Sequence, residues 1–234
     1  MKKYFNLLVV CVVTMTTILT SCQVNEEPVY SCNDSVNAWV KTNVSMIRQM
    51  NRKTWLTYPD SLSIPIYRAF TPEQKQQIWL GKMEQVLNHK DWTDKEKEHL
   101  LKLANEIQRQ TVWFADESIE NNDEAYEEYQ LFFYKWLKYA TEELQWNKEM
   151  ILAIAFTGKD LAENYSQAQT KATIPGKDHT EPDPDVDIAD CDCKIGNVLF
   201  TTCAPPYYCE KIICKGSNHG CGAVWVESCN GLCI

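Results

Sequence analysis

The feature that most constrains this chain is where its cysteines lie. Eight of the eleven, at 191, 193, 203, 209, 214, 221, 229 and 233, fall in the last 44 residues, and only Cys11, Cys22 and Cys32 precede them. A segment of that length buries too little apolar surface to fold by packing alone, whereas disulfides at typically 2 to 4 kcal/mol each supply what its core lacks. Residues 191–234 are therefore expected to form a small disulfide-rich β module in which Cys191, Cys193, Cys203, Cys209, Cys214, Cys221, Cys229 and Cys233 are all bridged. Its strands are expected in the short apolar runs Asn197 to Phe200, Lys211 to Ile213 and Ala223 to Val226. The connectivity stays open, except that Cys191 and Cys193 are too close in sequence for a relaxed bridge.

Bridges need an oxidising compartment, and the N-terminus supplies a route to one. Lys2 and Lys3 precede a largely apolar run, Leu7 to Leu19, that is short and interrupted by threonines, the head and apolar stretch of an export signal. Leu19-Thr20-Ser21-Cys22 resembles a lipobox, which implies that residues 1–21 are removed and that Cys22 becomes the lipid-bearing first residue. At about 0.8 kcal/mol per buried CH₂, two acyl chains hold a protein stably where one would not. Gln23 stands where an aspartate would resemble an inner-membrane retention signal, so an outer-membrane lipoprotein is expected. Glu26 and Glu27 resemble a surface-export signal, and residues 22–34 read as an acidic tether. Cys32 is the odd cysteine, with three fates open: free, buried against the first helix, or paired between chains.

Residues 35–165 carry helical periodicity and no cysteine. Val36, Trp39, Val40, Val44, Ile47 and Met50 mark a helix from about Ser35 to Asn51. Thr71-Pro72-Glu73-Gln74 combines a threonine cap, a proline in the first turn and a glutamine that completes a capping box, ahead of Ile78, Trp79, Met83, Val86 and Leu87. Thr93 and Glu96 repeat that logic before Leu100, Leu103, Ile107, Thr111 and Phe114. Tyr126, Tyr129, Phe133, Trp136, Ala140 and Leu144 mark a fourth helix, and Asn147 caps a fifth that holds Ile151 and Ile154. The expected fold is thus an all-α domain of about five helices plus the small C-terminal module. Seven of the eight tryptophans fall in the helical domain, mostly on these stripes, which assigns them to its core rather than to carbohydrate stacking. Glu96 and His99 have the spacing of a carboxylate-bridged di-iron ligand pair, but no second Glu-x-x-His exists, and a solvated helix face accounts for them.

Between 166 and 190 the prolines at 175, 182 and 184, with acids at 181, 183, 185, 187 and 190, form a Pro/Asp-rich linker of extended, self-repelling chain. Asp183, Asp185 and Asp187 alternate like calcium-loop ligands but lack the glycine and terminal glutamate of an EF-hand. Zinc at the tail cysteines and His219 is disfavoured by the absence of any Cys-x₂-Cys knuckle. No metal or cofactor is expected. Nor is an enzyme, because no Gly-x-Ser-x-Gly, His-Glu-x-x-His or phosphate loop occurs and the four histidines are scattered. A net charge of −9 without a basic patch disfavours nucleic acid as a partner.

Cys191-x-Cys193, Gly220-Cys221-Gly222-x-x-Trp225-Val226 and Cys229-Asn230-Gly231 together resemble the short eight-cysteine bacteriocin fulvocin C. The terminal spacing departs from it, since Cys229 stands in Ser-Cys-Asn-Gly and Cys233 follows later. The whole chain, including the stretch IYRAFTPEQK, also resembles lipoproteins described as fulvocin C-related. The resemblance implies a bacteriocin-like peptide on a lipidated helical precursor, held away from the membrane by the linker or freed by cleavage near Lys171 or Lys177. The module is formally neutral, with Lys194, Lys211 and Lys215 against Asp192, Glu210 and Glu227, so attack on anionic lipid by charge is disfavoured. Phe200, Tyr207, Tyr208 and Trp225 are the expected contacts with an envelope target on other bacteria or with a surface ligand. The alternative for Trp225 is that it fills the core of its own small module. The alternative function is a non-toxic surface binding or adhesion module.

Overall fold

A computed structural model describes residues 28–161, 190–191, 209–211 and 218–233. The expected signal peptide and Cys22, nearly all of the linker, and Cys193, Phe200, Cys203, Tyr207, Tyr208 and Cys214 lie outside the described residues.

The protein is mostly helical, with seven α-helices among the described residues. Helix α1 (Asp34–Ile47) starts where the Asn33 side chain accepts from the Ser35 and Val36 amides, and it buries Val36, Val40 and Ile47. It ends short of the expected Asn51, because Asn51 caps a separate single turn, α2 (Arg52–Trp55). Helix α3 (Asp60–Ala69) was not read from the sequence: Pro65 lies inside it and removes one helical N–H, which hides the pattern. The stretch IYRAFTPEQK therefore spans two helices, since Phe70 turns extended before α4 (Pro72–Leu87) begins.

Both expected capping boxes form, Thr71 with Gln74 on α4 and Thr93 with Glu96 on α5 (Asp94–Arg109). Helix α5 stops before Thr111, and Trp113 and Phe114 are buried from a 3₁₀ turn, Thr111–Phe114, instead of from the helix. Asn122 caps α6 (Asp123–Glu142) and Asn147 caps α7 (Lys148–Ala155). Helix α4 lies along α5 and touches α2 and α7, while α1 packs on α3. Of the seven tryptophans, Trp55, Trp79, Trp113, Trp136 and Trp146 are buried, and Trp39 and Trp92 are partly buried against the same core.

Three short segments of the tail pair as strands: β1 (Asp190–Cys191), β2 (Cys209–Lys211) and β3 (Gly231–Cys233), antiparallel in the order β1-β3-β2. The register sets Cys209 opposite Cys233. The strand expected at Ala223 to Val226 does not form. Ala223–Trp225 is a 3₁₀ turn with Val224 and Trp225 at φ of 46° and 54°, in the left-handed region that no strand uses. The described disulfide of the tail is Cys221–Cys229, and Cys32 is also disulfide-bonded. Cys32 is thus neither free nor merely buried against α1.

Candidate functional site

Residues 218–229 of the tail do not stand away from the helical body, as an extended linker would have it. Residues 218–229 are inserted into that body, and their seat is the most elaborated feature of the molecule.

Its centre is Trp225, which is 6% exposed and belongs to the helical core. Its ring meets Tyr67 at 5.2 Å, Trp79 at 5.7 Å and Trp55 at 5.9 Å, all edge to face, the arrangement that aromatic quadrupoles favour. The indole N–H donates to the Phe156 carbonyl at 3.0 Å, so the burial leaves no orphaned donor. Space for two indoles exists because residue 158 is glycine: a Cβ there would stand 2.8 Å from Trp55 and 3.4 Å from Trp225. Trp225 is accordingly removed from the expected target contacts, and the core it fills is that of the helical domain, not of its own module. Phe200, Tyr207 and Tyr208 lie outside the described residues.

The backbone around Trp225 is a tight loop closed by Cys221–Cys229, with Cys221 and Glu227 exchanging backbone hydrogen bonds at 3.0 and 2.9 Å. The Gly220 N–H donates to the Trp225 carbonyl at 3.0 Å. A left-handed valine is costly, by about 1 to 3 kcal/mol, and persists only where surroundings enforce it. Here Val224 and Val226 are fully buried against the helical body. Gly220, at φ +112°, approaches α3 so closely that a Cβ would lie 2.4 Å from Ile64 Cγ2. Two elements of the Gly-Cys-Gly-x-x-Trp-Val motif, Gly220 and Trp225, are therefore set by contact with the helices.

Polar bonds fasten both ends of the loop. At one end Arg68 Nε donates to the His219 carbonyl at 2.6 Å and Arg68 Nη1 to the Tyr30 carbonyl at 2.8 Å, so one guanidinium joins the start of the described chain to its tail. Asn218 donates to the Asp116 carbonyl at 2.9 Å. At the other end the Tyr129 hydroxyl donates to the Ala223 carbonyl at 2.9 Å and the Tyr126 hydroxyl to Glu227 at 3.2 Å. Glu120 accepts from the Ser228 amide at 3.3 Å and from the Ser228 hydroxyl. The seat is thus cationic where it holds His219 and acidic near Ser228.

Burial first, and neighbouring charge second, decides protonation here. His219 is 1% exposed, and burial, with Lys75 and Arg68 nearby, pushes its pKa down to about 3 despite the bond to the Trp113 carbonyl, so the ring is neutral. Burial also brings Lys75 down to about 8. Tyr129 is held well above the ordinary phenol range, first by burial and then by Glu227.

The chain on the other side of the linker is equally fixed. Arg52 donates to the Ile78 and Gly158 carbonyls and pairs with Asp160 at 2.7 Å. Gln85 exchanges two hydrogen bonds with Leu161, and the buried Lys82 donates to the Lys159 carbonyl, its own pKa lowered by burial to about 7. These bonds set Gly158, and with it the wall of the Trp225 seat.

A second aromatic cluster corrects the reading of His99. That ring is not on a solvated face: it is 2% exposed, stacked 4.6 Å from Trp136 and 4.9 Å from Tyr139, with Trp146 edge-on. Burial, then Lys102, lowers its pKa to about 4. Glu96 serves its cap and accepts from the Trp146 indole at 3.0 Å. The signal was present in the sequence, since His99 stands four residues before the core residue Leu103.

Among the described residues no group of three or more His, Cys, Asp or Glu side chains is placed to hold a metal ion, and no helix is long and apolar enough to cross a membrane. A groove of about 340 Å³ between α2 and α4 is lined by Met50, Arg52, Phe70, Gln74 and Glu84 among others, a mixed set without a nucleophile and base in reach of each other. What the arrangement does chemically is hold a peptide loop. Comparison with known protein families, with characterised proteins and with solved structures yielded no match to this chain.

Proposed function

We propose that this protein is a cell-envelope lipoprotein, anchored through lipid on Cys22 and exposed at the outer membrane, that acts intact as a surface binding module whose cysteine-rich tail is built into its helical body. The observation that carries this reading is the burial of Trp225 among Trp55, Tyr67 and Trp79. A peptide shed from this body would strip an indole from the core and expose Val224 and Val226, a loss comparable to a large core truncation at about 3 to 5 kcal/mol. Binding rather than catalysis is the proposed activity, with a surface ligand or an envelope component of another cell as partner.

A second reading, favoured by the Gly-Cys-Gly-x-x-Trp-Val resemblance, is a latent bacteriocin-like antagonist that the helical body keeps shielded until the tail is freed. Fractionated cultures separate the two. Under the first, mass spectrometry finds the full-length chain in membranes and no tail fragment in the medium, and Cys22→Ala abolishes acylation and membrane attachment. A released fragment beginning between 166 and 191 that inhibits the growth of related bacteria would overturn it in favour of the second.

A further inference from the structure

We propose that the seat of Trp225 is a recognition site for a disulfide-closed tryptophan loop and that its partner in trans is residues 218–229 of a second copy of this chain, an assignment that rests on the reading of the protein as an intact binding module. In the structure the chain's own loop fills the seat, and its contacts define what the seat accepts.

The loop carries its own closure. Cys221–Cys229 bridges eight positions, Cys221 and Glu227 exchange two backbone hydrogen bonds, and the Gly220 N–H donates to the Trp225 carbonyl. Gly222, at φ +69°, turns the backbone where a Cβ would lie 2.6 Å from a Glu227 carboxylate oxygen. None of these contacts involves the helical body. The loop therefore reaches the seat as a ring already closed, which lowers the ordering cost of docking.

The body holds this ring as it would hold a separate peptide. Arg68 and Tyr129 donate to main-chain carbonyls of the loop, and the Asp116 and Phe156 carbonyls accept from Asn218 and from the indole. A buried tryptophan anchor with polar bonds at its rim is the anatomy of a binding hot spot. The bonded pair closest in sequence, Phe156 and Trp225, is 69 residues apart, so chain connectivity does not dictate which copy supplies the loop. Residues 162–217 lie between Leu161 and Asn218. A connection of that length gives the cis loop an effective concentration that falls as the connection lengthens. Copies anchored side by side in one membrane compete with it, and the exchanged pair makes the same contacts as the closed chain.

The test uses full-length Trp225→Ala protein in detergent, whose seat lacks its anchor. The probe is a fluorescently labelled synthetic peptide of residues 218–229 with the Cys221–Cys229 disulfide closed. The expected result is saturable binding by anisotropy, with the urea midpoint of the helices moved back toward wild type. A peptide carrying Trp225→Ala is expected to bind more weakly by about 30-fold or more, the effect of losing a buried tryptophan anchor. The reduced and alkylated peptide is also expected to bind more weakly than the closed one. Gly220→Ala provides a second acceptor, which keeps every side chain of the seat and loosens only the cis loop, and it decides the matter where Trp225→Ala does not fold. A folded acceptor that leaves the closed peptide unbound overturns the proposal, as does binding indifferent to Trp225.

Co-expression of two differently tagged chains tests the second copy as partner. Gly158→Val supplies an intact loop beside a blocked seat, and Trp225→Ala supplies an open seat without an anchor; wild type is the donor where Gly158→Val does not accumulate. Donor and acceptor are expected to copurify from detergent extracts, whereas two Trp225→Ala chains are not. Peptide binding without copurification overturns the second copy as partner. A tail fragment shed into the medium overturns the intact-module reading and leaves the peptide result standing.

Discussion

Two aromatic clusters in this protein look alike and are built differently. Around His99 on α5, the rings of Trp136 and Tyr139 come from α6 and that of Trp146 from the turn before α7, all within the helical domain. Around Trp225, the helical domain supplies Trp55, Tyr67 and Trp79, but the ring that fills the space between them comes from the far end of the chain. Each cluster buries a histidine kept neutral by desolvation. The first cluster is complete whenever the helices fold. The second is complete only when the tail is docked, so it reports on an event that the first does not sense.

The strongest way to break this comparison is Trp225→Ala. It empties the second cluster and is expected to cost about 3 to 5 kcal/mol. Because the ring belongs to the helical core, the loss should appear in the urea midpoint of the helices followed by far-ultraviolet circular dichroism. Unchanged helical unfolding would show the tail to be an independent head.

The acid limb of stability sharpens the contrast between the two histidines. Each is neutral in the folded protein and takes a proton in the unfolded chain below about pH 6.5. Stability is therefore intact above that value and falls as pH drops, toward about 4 for His99 and about 3 for His219. The slope is at most about 1.4 kcal/mol per pH unit for each histidine. Replacing His219 with glutamine should flatten the acid loss of tail docking, read by protease sensitivity of residues 218–229, while leaving the contribution of His99 to helix unfolding in place.

Gly220→Ala attacks the docked loop through its backbone. It adds a methyl 2.4 Å from Ile64 Cγ2 at a φ of +112°, and a loss of about 1 to 3 kcal/mol is expected in denaturant unfolding. If Gly220 served only a free peptide, an alanine there would not move the unfolding of the helical body. The smallest change is Tyr129→Phe, which removes the hydrogen bond to the Ala223 carbonyl and should cost about 1 kcal/mol, again visible as earlier tail undocking in hydrogen exchange.

The sequence by itself determined the helical domain wherever local chemistry is decisive. The Thr71 and Thr93 capping boxes and the Asn147 cap were legible because a cap depends on residues within four positions of it. Helix α3 escaped because Pro65 interrupts its pattern, and His99 because its spacing drew attention to metal chemistry rather than to Leu103. The cysteine count of the tail was equally plain, yet it suggested a closed module with its own small core. Only the tertiary structure decided that Trp225 packs on Trp55, Tyr67 and Trp79, that Gly220 is set by Ile64, and that Cys32 is bonded. The physical reason is that burial of apolar surface is non-directional. The run Ala223 to Val226 announces that it must be covered, and nothing within it names a covering surface that lies some 70 to 170 residues away in the chain.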